Sequence, residues 1–198
     1  MMVIRIDLIM ETISALISFS VAYFAMKAYK LTGNKSLMYL YYGFSILGAG
    51  MLTRVFATSY IIMIARGGAK IRGLIFSMSL IYGLMRTLAY TLFTLAYIVR
   101  TRSIESIETT IIAPLILNPY FEFIQIALLI YITAQSAMNY LENRNINSLL
   151  IFTGFLLILI SHLTFMYSIV MRQVYIIAHL IQLLGFTCML LMLVKVGR

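Results

Sequence analysis

The sequence predicts an all-α fold: a polytopic membrane bundle of six transmembrane helices, organised as a three-plus-three inverted repeat. Apolar residues fill 63% of the 198 positions, charged residues only 11%, and mean hydropathy is +1.00. No water-soluble domain covers that much apolar surface with so few charges. The apolar residues fall in six stretches with short polar links, and similar features recur 111 residues apart.

A helix needs about 20 mostly apolar residues to cross ~30 Å of hydrocarbon. The first stretch, 7–28, contains Glu11 and is too long for the core of a cleaved leader, so it reads as a retained span. A polar link, Lys30 to Lys35, ends it. The second, 37–58, stays apolar as far as Ala65, so it either tilts or lays its end in the interface. The third, 74–99, is bounded by Arg66–Lys70 and by Arg100 and Arg102. Residues 104–118 form a hinge around Pro114, with Pro119 next to it. Within it, 109–118 is apolar but too short to cross; a re-entrant piece is the alternative to a plain hinge. The fourth, fifth and sixth spans are read at 119–141, 147–168 and 174–195, joined through Glu142–Asn145 and Arg172-Gln173. The chain is thus a single transmembrane domain over 1–198, with repeat one at 1–103 and repeat two at 119–198.

A shift of 111 places Glu11 on Glu122, Ile13 on Ile124, Tyr29 on Tyr140, and Gly43-Phe44 on Gly154-Phe155. Three spans per repeat is an odd number. With too little chain at 103–118 for another crossing, the second copy is expected to enter from the opposite face, as inverted repeats do. In that layout seven basic residues flank one face (Arg5, Arg66, Lys70, Arg72, Arg144, Lys195, Arg198) and six the other (Lys27, Lys30, Lys35, Arg100, Arg102, Arg172). That division gives no orientation by the positive-inside rule.

The net charge of +9 sits mostly in the links, where it anchors the chain at the headgroups rather than binding nucleic acid. The one cysteine, Cys188, lies in an apolar run and says nothing of redox compartment. Abundant Ile, Leu and Tyr without Trp fit a heat-adapted archaeal source.

The first half resembles a known kind of protein. Ala22-Tyr23, Ala28-Tyr29, Thr32-Gly33, Gly43-Phe44 and Gly48 are similar in order to small archaeal three-helix membrane proteins of unknown function. The likeness covers about the first 50 residues. The second half keeps Tyr140 and Gly154-Phe155 but has Asn143-Arg144 where Thr-Gly would stand. The resemblance implies a doubled three-helix unit and no particular activity.

Each span carries a stripe of small or polar residues at helical spacing, which allows close packing in lipid. The ionisable members carry more information, because charge inside a bilayer is costly and needs a partner or a use. Counting from the links puts Glu11, Arg54 and Arg86 in one layer. It also puts His162 and His179 at matched depth about the last hairpin, with Glu122 within a few residues of them. Each half then holds a carboxylate with two nitrogen bases, Glu-Arg-Arg and Glu-His-His, with Gln182 beside the second group. The first set reads as an anion or proton site, or as a structural ion pair with snorkelling arginines. For the second, four readings stand open: a metal held by Glu122, His162 and His179, a proton relay, a haem b clamped by the two histidines, and two unrelated, locally satisfied histidines.

No nucleotide-binding loop, hydrolase elbow, zinc-protease motif or cysteine pair occurs, so an enzyme is not expected. Two functional classes remain for this multi-pass protein of the cell membrane. One is a small transporter or channel for a proton, ion or small solute. The other is a non-catalytic membrane subunit of a larger, respiratory type of complex that holds haem b. The lipid bilayer is its partner in either case, with a homo-oligomer or other membrane subunits as further partners and no nucleic acid.

Overall fold

The computed structural model describes residues 2–64, 71–101, 120–167 and 174–196. These form six α-helices: α1 Met2–Thr32, α2 Lys35–Ile64, α3 Ile71–Thr101, α4 Tyr120–Asn143, α5 Ile146–Tyr167 and α6 Val174–Val196. The expected hinge at 104–118 and the links at 66–70 and 172–173 lie outside the described residues. All six helices are long and apolar enough to cross a membrane, which fits a multi-pass membrane protein. The second is continuous to Ile64, so the apolar run past residue 58 extends the helix itself.

Two links show how local chemistry ends these helices. Gly33 has φ +67°, and its N–H donates to Tyr29 O at 2.8 Å. This left-handed residue closes α1. Asn34 then caps α2, its Oδ1 accepting from the Ser36 N–H at 3.0 Å. The link between α4 and α5 repeats the device. Arg144 has φ +46° and donates its N–H to Tyr140 O at 2.8 Å. Asn145 Oδ1 accepts from the Ser148 N–H at 2.7 Å.

Each helix packs on its sequence neighbours, and α1 also packs on α6, so the six close into a ring. Their directions follow from what meets at each end. At one end the start of α1 meets the end of α2, and the starts of α3, α4 and α6 surround the end of α5. At the other end the finishes of α1, α3 and α6 surround the starts of α2 and α5. Helices α1, α3, α4 and α6 therefore run one way and α2 and α5 the other. The expected inverted relation between the halves does not hold: α4 runs parallel to α1. Thr101 and Tyr120 accordingly sit at opposite ends of the bundle. Eighteen residues reach roughly 27 Å even at the ~1.5 Å rise of a helix, and about twice that when extended, so the chain between them is long enough for the distance.

The stripes read from helical spacing are mostly the inward faces. Glu11, Ala15, Ser18, Ala22 and Ala25 of α1 are buried, as are Gly43, Leu47 and Gly50 of α2. Ser79, one turn before Gly83, is exposed, and Thr164, one turn after Ser161, is half-buried, so helical spacing alone does not turn every small residue inward. The centre of the ring is filled by Phe44, Leu47, Tyr90, Phe93, Phe155, Ile158 and Phe186. Large apolar residues such as Leu16, Phe56, Leu88, Ile130, Leu163 and Leu184 point outward, an arrangement suited to lipid and not to water. Where α5 and α6 cross, Gly154 and Gly185 bring the two backbones together.

Candidate functional site

One layer of the bundle collects the ionisable side chains, and every helix contributes to it. Arg54 of α2 donates through Nη1 to Glu11 Oε1 of α1 at 3.0 Å and through Nη2 to Tyr175 Oη of α6 at 2.5 Å. Arg86 of α3 donates through Nη1 to Glu122 Oε1 of α4 at 3.4 Å. Its Nη2 lies 2.6 Å from Nε2 and 3.2 Å from Nδ1 of His162 on α5. His162 Nδ1 meets Glu122 Oε2 at 3.0 Å, and Tyr90 Oη meets Nε2 at 2.7 Å. Tyr82 links the two groups, its ring centre 5.2 Å from the Arg54 guanidinium carbon and 5.1 Å from that of Arg86.

The tautomer of His162 follows from its neighbours. A guanidinium only donates, so Nε2, facing Arg86 most closely and also Tyr90 Oη, is the acceptor nitrogen. The ring proton then sits on Nδ1 and is donated to Glu122. In this arrangement a neutral imidazole has both nitrogens satisfied, and two guanidiniums balance two carboxylates.

These side chains floor a cavity of about 560 Å³ between the ends of α2 and α5 and the starts of α3, α4 and α6. Arg54, Tyr82, Arg86, Glu122 and Tyr175 face it, and Ala57, Ile61, Ile62, Ile75 and Met78 give it apolar walls. A second cavity of about 280 Å³ opens at the other end, lined mainly by apolar residues with Thr32, Asn34 and Ser36 at its rim. The buried aromatic layer of Phe44, Tyr90, Phe93, Phe155 and Phe186 stands between them.

Of the residues singled out from the sequence, Glu11, Arg54, Arg86, Glu122 and His162 share a layer, but they are not grouped half by half. Glu11 and Arg54 pair as expected, whereas Arg86 turns to the second half and joins Glu122 and His162. His179 is buried elsewhere in the layer, its ring 4.7 Å from that of Phe165 and 4.8 Å from that of Tyr175. Gln182 is buried one turn further along α6, its amide nitrogen without a hydrogen-bond partner among the described residues. Phe165 packs edge-on against both imidazoles, its ring centre 6.4 Å from that of His162 and 4.7 Å from that of His179. Glu122 bonds to His162. Among the described residues no three His, Cys, Asp or Glu side chains are placed to hold a metal ion.

Four members of the layer were missed as site residues: Tyr82, Tyr90, Phe165 and Tyr175. A signal existed for two of them. Tyr82, Arg86 and Tyr90 follow one another at four-residue steps, which puts both phenols on the face of the arginine. Nothing in the sequence tied Tyr175 to Arg54, 121 residues away.

Residues 8–93, from the start of α1 to Phe93 of α3, match a family of unknown function, DUF7521. No curated protein and no solved structure matches the chain.

Proposed function

We propose that the chain is a small multi-pass transporter or channel made of two parallel three-helix units, passing a proton, ion or small solute along the axis between them. The observation that carries this reading is the charged layer itself. It lies where the two units meet, and it floors a cavity open at one end of the bundle. Charge placed inside a bilayer at a repeat interface is the usual mark of a transport site.

The likeness of the two units supports it. At a spacing of 111, pairs of α1 and α4 positions are buried in both helices, among them Ser14 and Gln125, Ala15 and Ile126, Ser18 and Leu129, Val21 and Ile132, Ala22 and Thr133, Ala25 and Ser136, while Glu11 is more buried than Glu122. The link residues Gly33 and Arg144 share a left-handed backbone at that spacing. In the third helix the spacing shortens. Gly43 lies against Ala89 and Phe93 as Gly154 lies against Gly185 and Met189. This sets Arg86 opposite Gln182, both 96 residues apart like the glycine contacts. The family match to residues 8–93 covers most of one unit. Two cavities on one axis, separated by an aromatic layer, suit a path opened from one end at a time.

In this reading the protein is not an enzyme and needs no haem or metal. It works in the cell membrane, alone, as a homo-oligomer or with other membrane subunits. The test is flux into vesicles holding the purified chain, with protons, alkali cations, chloride and small neutral solutes offered in turn. One of them should enter faster than into empty vesicles, and Arg86→Met should remove the excess. Entry indistinguishable from empty vesicles for every probe would overturn the reading.

A further inference from the structure

We infer that Glu122 and His162 form a proton-binding site open to the larger cavity, and that a proton taken up there releases Arg86 and loosens the seam between α3 and α4. The inference rests on the transport reading above and names its ligand.

Glu122 lines the cavity and is the most exposed of the four Arg and Glu side chains in the layer. Its side chain is 37% exposed, against 27% for Arg54, 6% for Arg86 and 2% for Glu11. Its inner side touches His162, which is fully buried. An open carboxylate therefore connects the cavity to an imidazole in the core, and that imidazole to the Tyr90 hydroxyl in the aromatic layer. An imidazole exchanges a proton with water near neutral pH and a carboxylate under more acidic conditions, so the pair can take a proton inward from the cavity.

A proton arriving from cavity water has two places to bind, and both displace Arg86. On a Glu122 oxygen it makes the carboxyl neutral and ends the ion pair with Arg86 Nη1, a contact already long at 3.4 Å. On His162 Nε2 it sets an N–H against Arg86 Nη2, which lies 2.6 Å away and cannot accept a hydrogen bond. Tyr90 can turn its hydroxyl to accept instead; the guanidinium has to move off. In either case one proton leaves water, one bond to hydrogen forms on oxygen or nitrogen, and the buried layer gains one positive charge.

That charge is uncompensated. The charged and titratable groups around the site are Arg86, Tyr82 and Tyr90 from α3, Arg54 from α2 with its partner Glu11 from α1, and Tyr175 and His179 from α6; Glu11 is already matched by Arg54, and among the described residues no further carboxylate faces the site. A layer with one positive charge in excess is stabilised by admitting water. Arg86 is the tie that opening would break, since it joins α3 of the first unit to α4 and α5 of the second. Beside it the same seam holds the Gln125 amide, which donates to Gly83 O at 3.3 Å and to Thr87 Oγ1 at 3.2 Å.

Two measurements on the full chain, with Cys188→Ser, test the inference. In pH-difference infrared spectra the parent should show one protonated-carboxyl component beyond those of its other carboxylates, growing as pH falls, lost in Glu122→Gln and restored, shifted, in Glu122→Asp. Thr87→Cys places a thiol in the seam. Its labelling by a maleimide should be slow in the parent and about tenfold faster with Glu122→Gln, which mimics the neutral acid at any pH. The pH dependence of the parent, divided by that of the Gln variant, should rise toward low pH. Carboxyl bands identical in the parent and Glu122→Gln, or seam labelling equal in the two backgrounds, would overturn the inference. If Glu122→Gln does not fold, Glu122→Asp must show a shifted band and a shifted labelling midpoint, and identity with the parent overturns it. Proton entry into vesicles, followed separately, distinguishes the two readings. Titration with seam opening but no flux of any probe leaves the proton site and removes transport. Flux unchanged by Glu122→Gln leaves transport and removes the proton site.

Discussion

Replacing Gly185 by alanine should force α5 and α6 apart. A Cβ at 185 would stand 2.8 Å from Gly154 O, 2.9 Å from Ile158 Cγ1 and 3.3 Å from Ile158 N. Two of these three atoms are backbone, so no side-chain rotation relieves the contact. Ordinary contact begins near 3.4 Å, so the helices must separate by about 0.6 Å, the difference between 3.4 and 2.8. A gap of that size forfeits about a quarter or more of the dispersion energy across the contacts it opens. Overpacking of this kind costs roughly 1–3 kcal/mol. Alanine returns up to about 1 kcal/mol as the better helix former. The net expectation is a loss of up to about 2 kcal/mol. Gly73 supplies the control, since a Cβ there meets nothing within 4 Å. Only the helix-forming gain remains, so Gly73→Ala should be neutral or stabilising by up to about 1 kcal/mol. The assay is the midpoint of helix loss on heating in detergent micelles, followed by circular dichroism. A Gly185→Ala midpoint at or above the parent, or a Gly73→Ala variant as damaged as it, would refute the packing argument.

Two further expectations concern topology and the ion pairs. Leu31 and Glu142 are exposed beside the two corresponding links. Cysteines at these positions, in a Cys188→Ser chain, should react with an impermeant maleimide from the same membrane face, whereas labelling from opposite faces would restore the inverted repeat. Arg54→Met should cost about 3–5 kcal/mol, because it withdraws the guanidinium from a carboxylate that is 2% exposed. Adding Glu11→Met should recover most of that loss in the same thermal assay, and a double variant as unstable as the single one would show that the pair contributes by something other than charge.

Much of this molecule was legible in the chain because a bilayer leaves few choices. Backbone groups in lipid must bond within their own segment, so apolar length alone locates the helices. Polar and small residues must turn inward, so helical spacing marks the buried faces; the α1 stripe from Glu11 to Ala25 is one such face. Depth could also be counted from the links, and Glu11, Arg54, Arg86, Glu122 and His162 do meet in one layer. Counting along a helix gives one coordinate only. It does not say which helix stands across the seam, because in lipid no hydrophobic force sorts one apolar helix face from another. That choice falls to close packing, such as Gly154 against Gly185, and to the pairing of buried charge. Tertiary structure therefore decided that Arg86 faces Glu122 and His162, that Phe165 parts the two histidines, and that Tyr175 reaches Arg54. It also decided the direction of the second half, with α4 parallel to α1: three spans reverse the next helix only if the chain that follows them stays on one side, a choice that apolar length does not make.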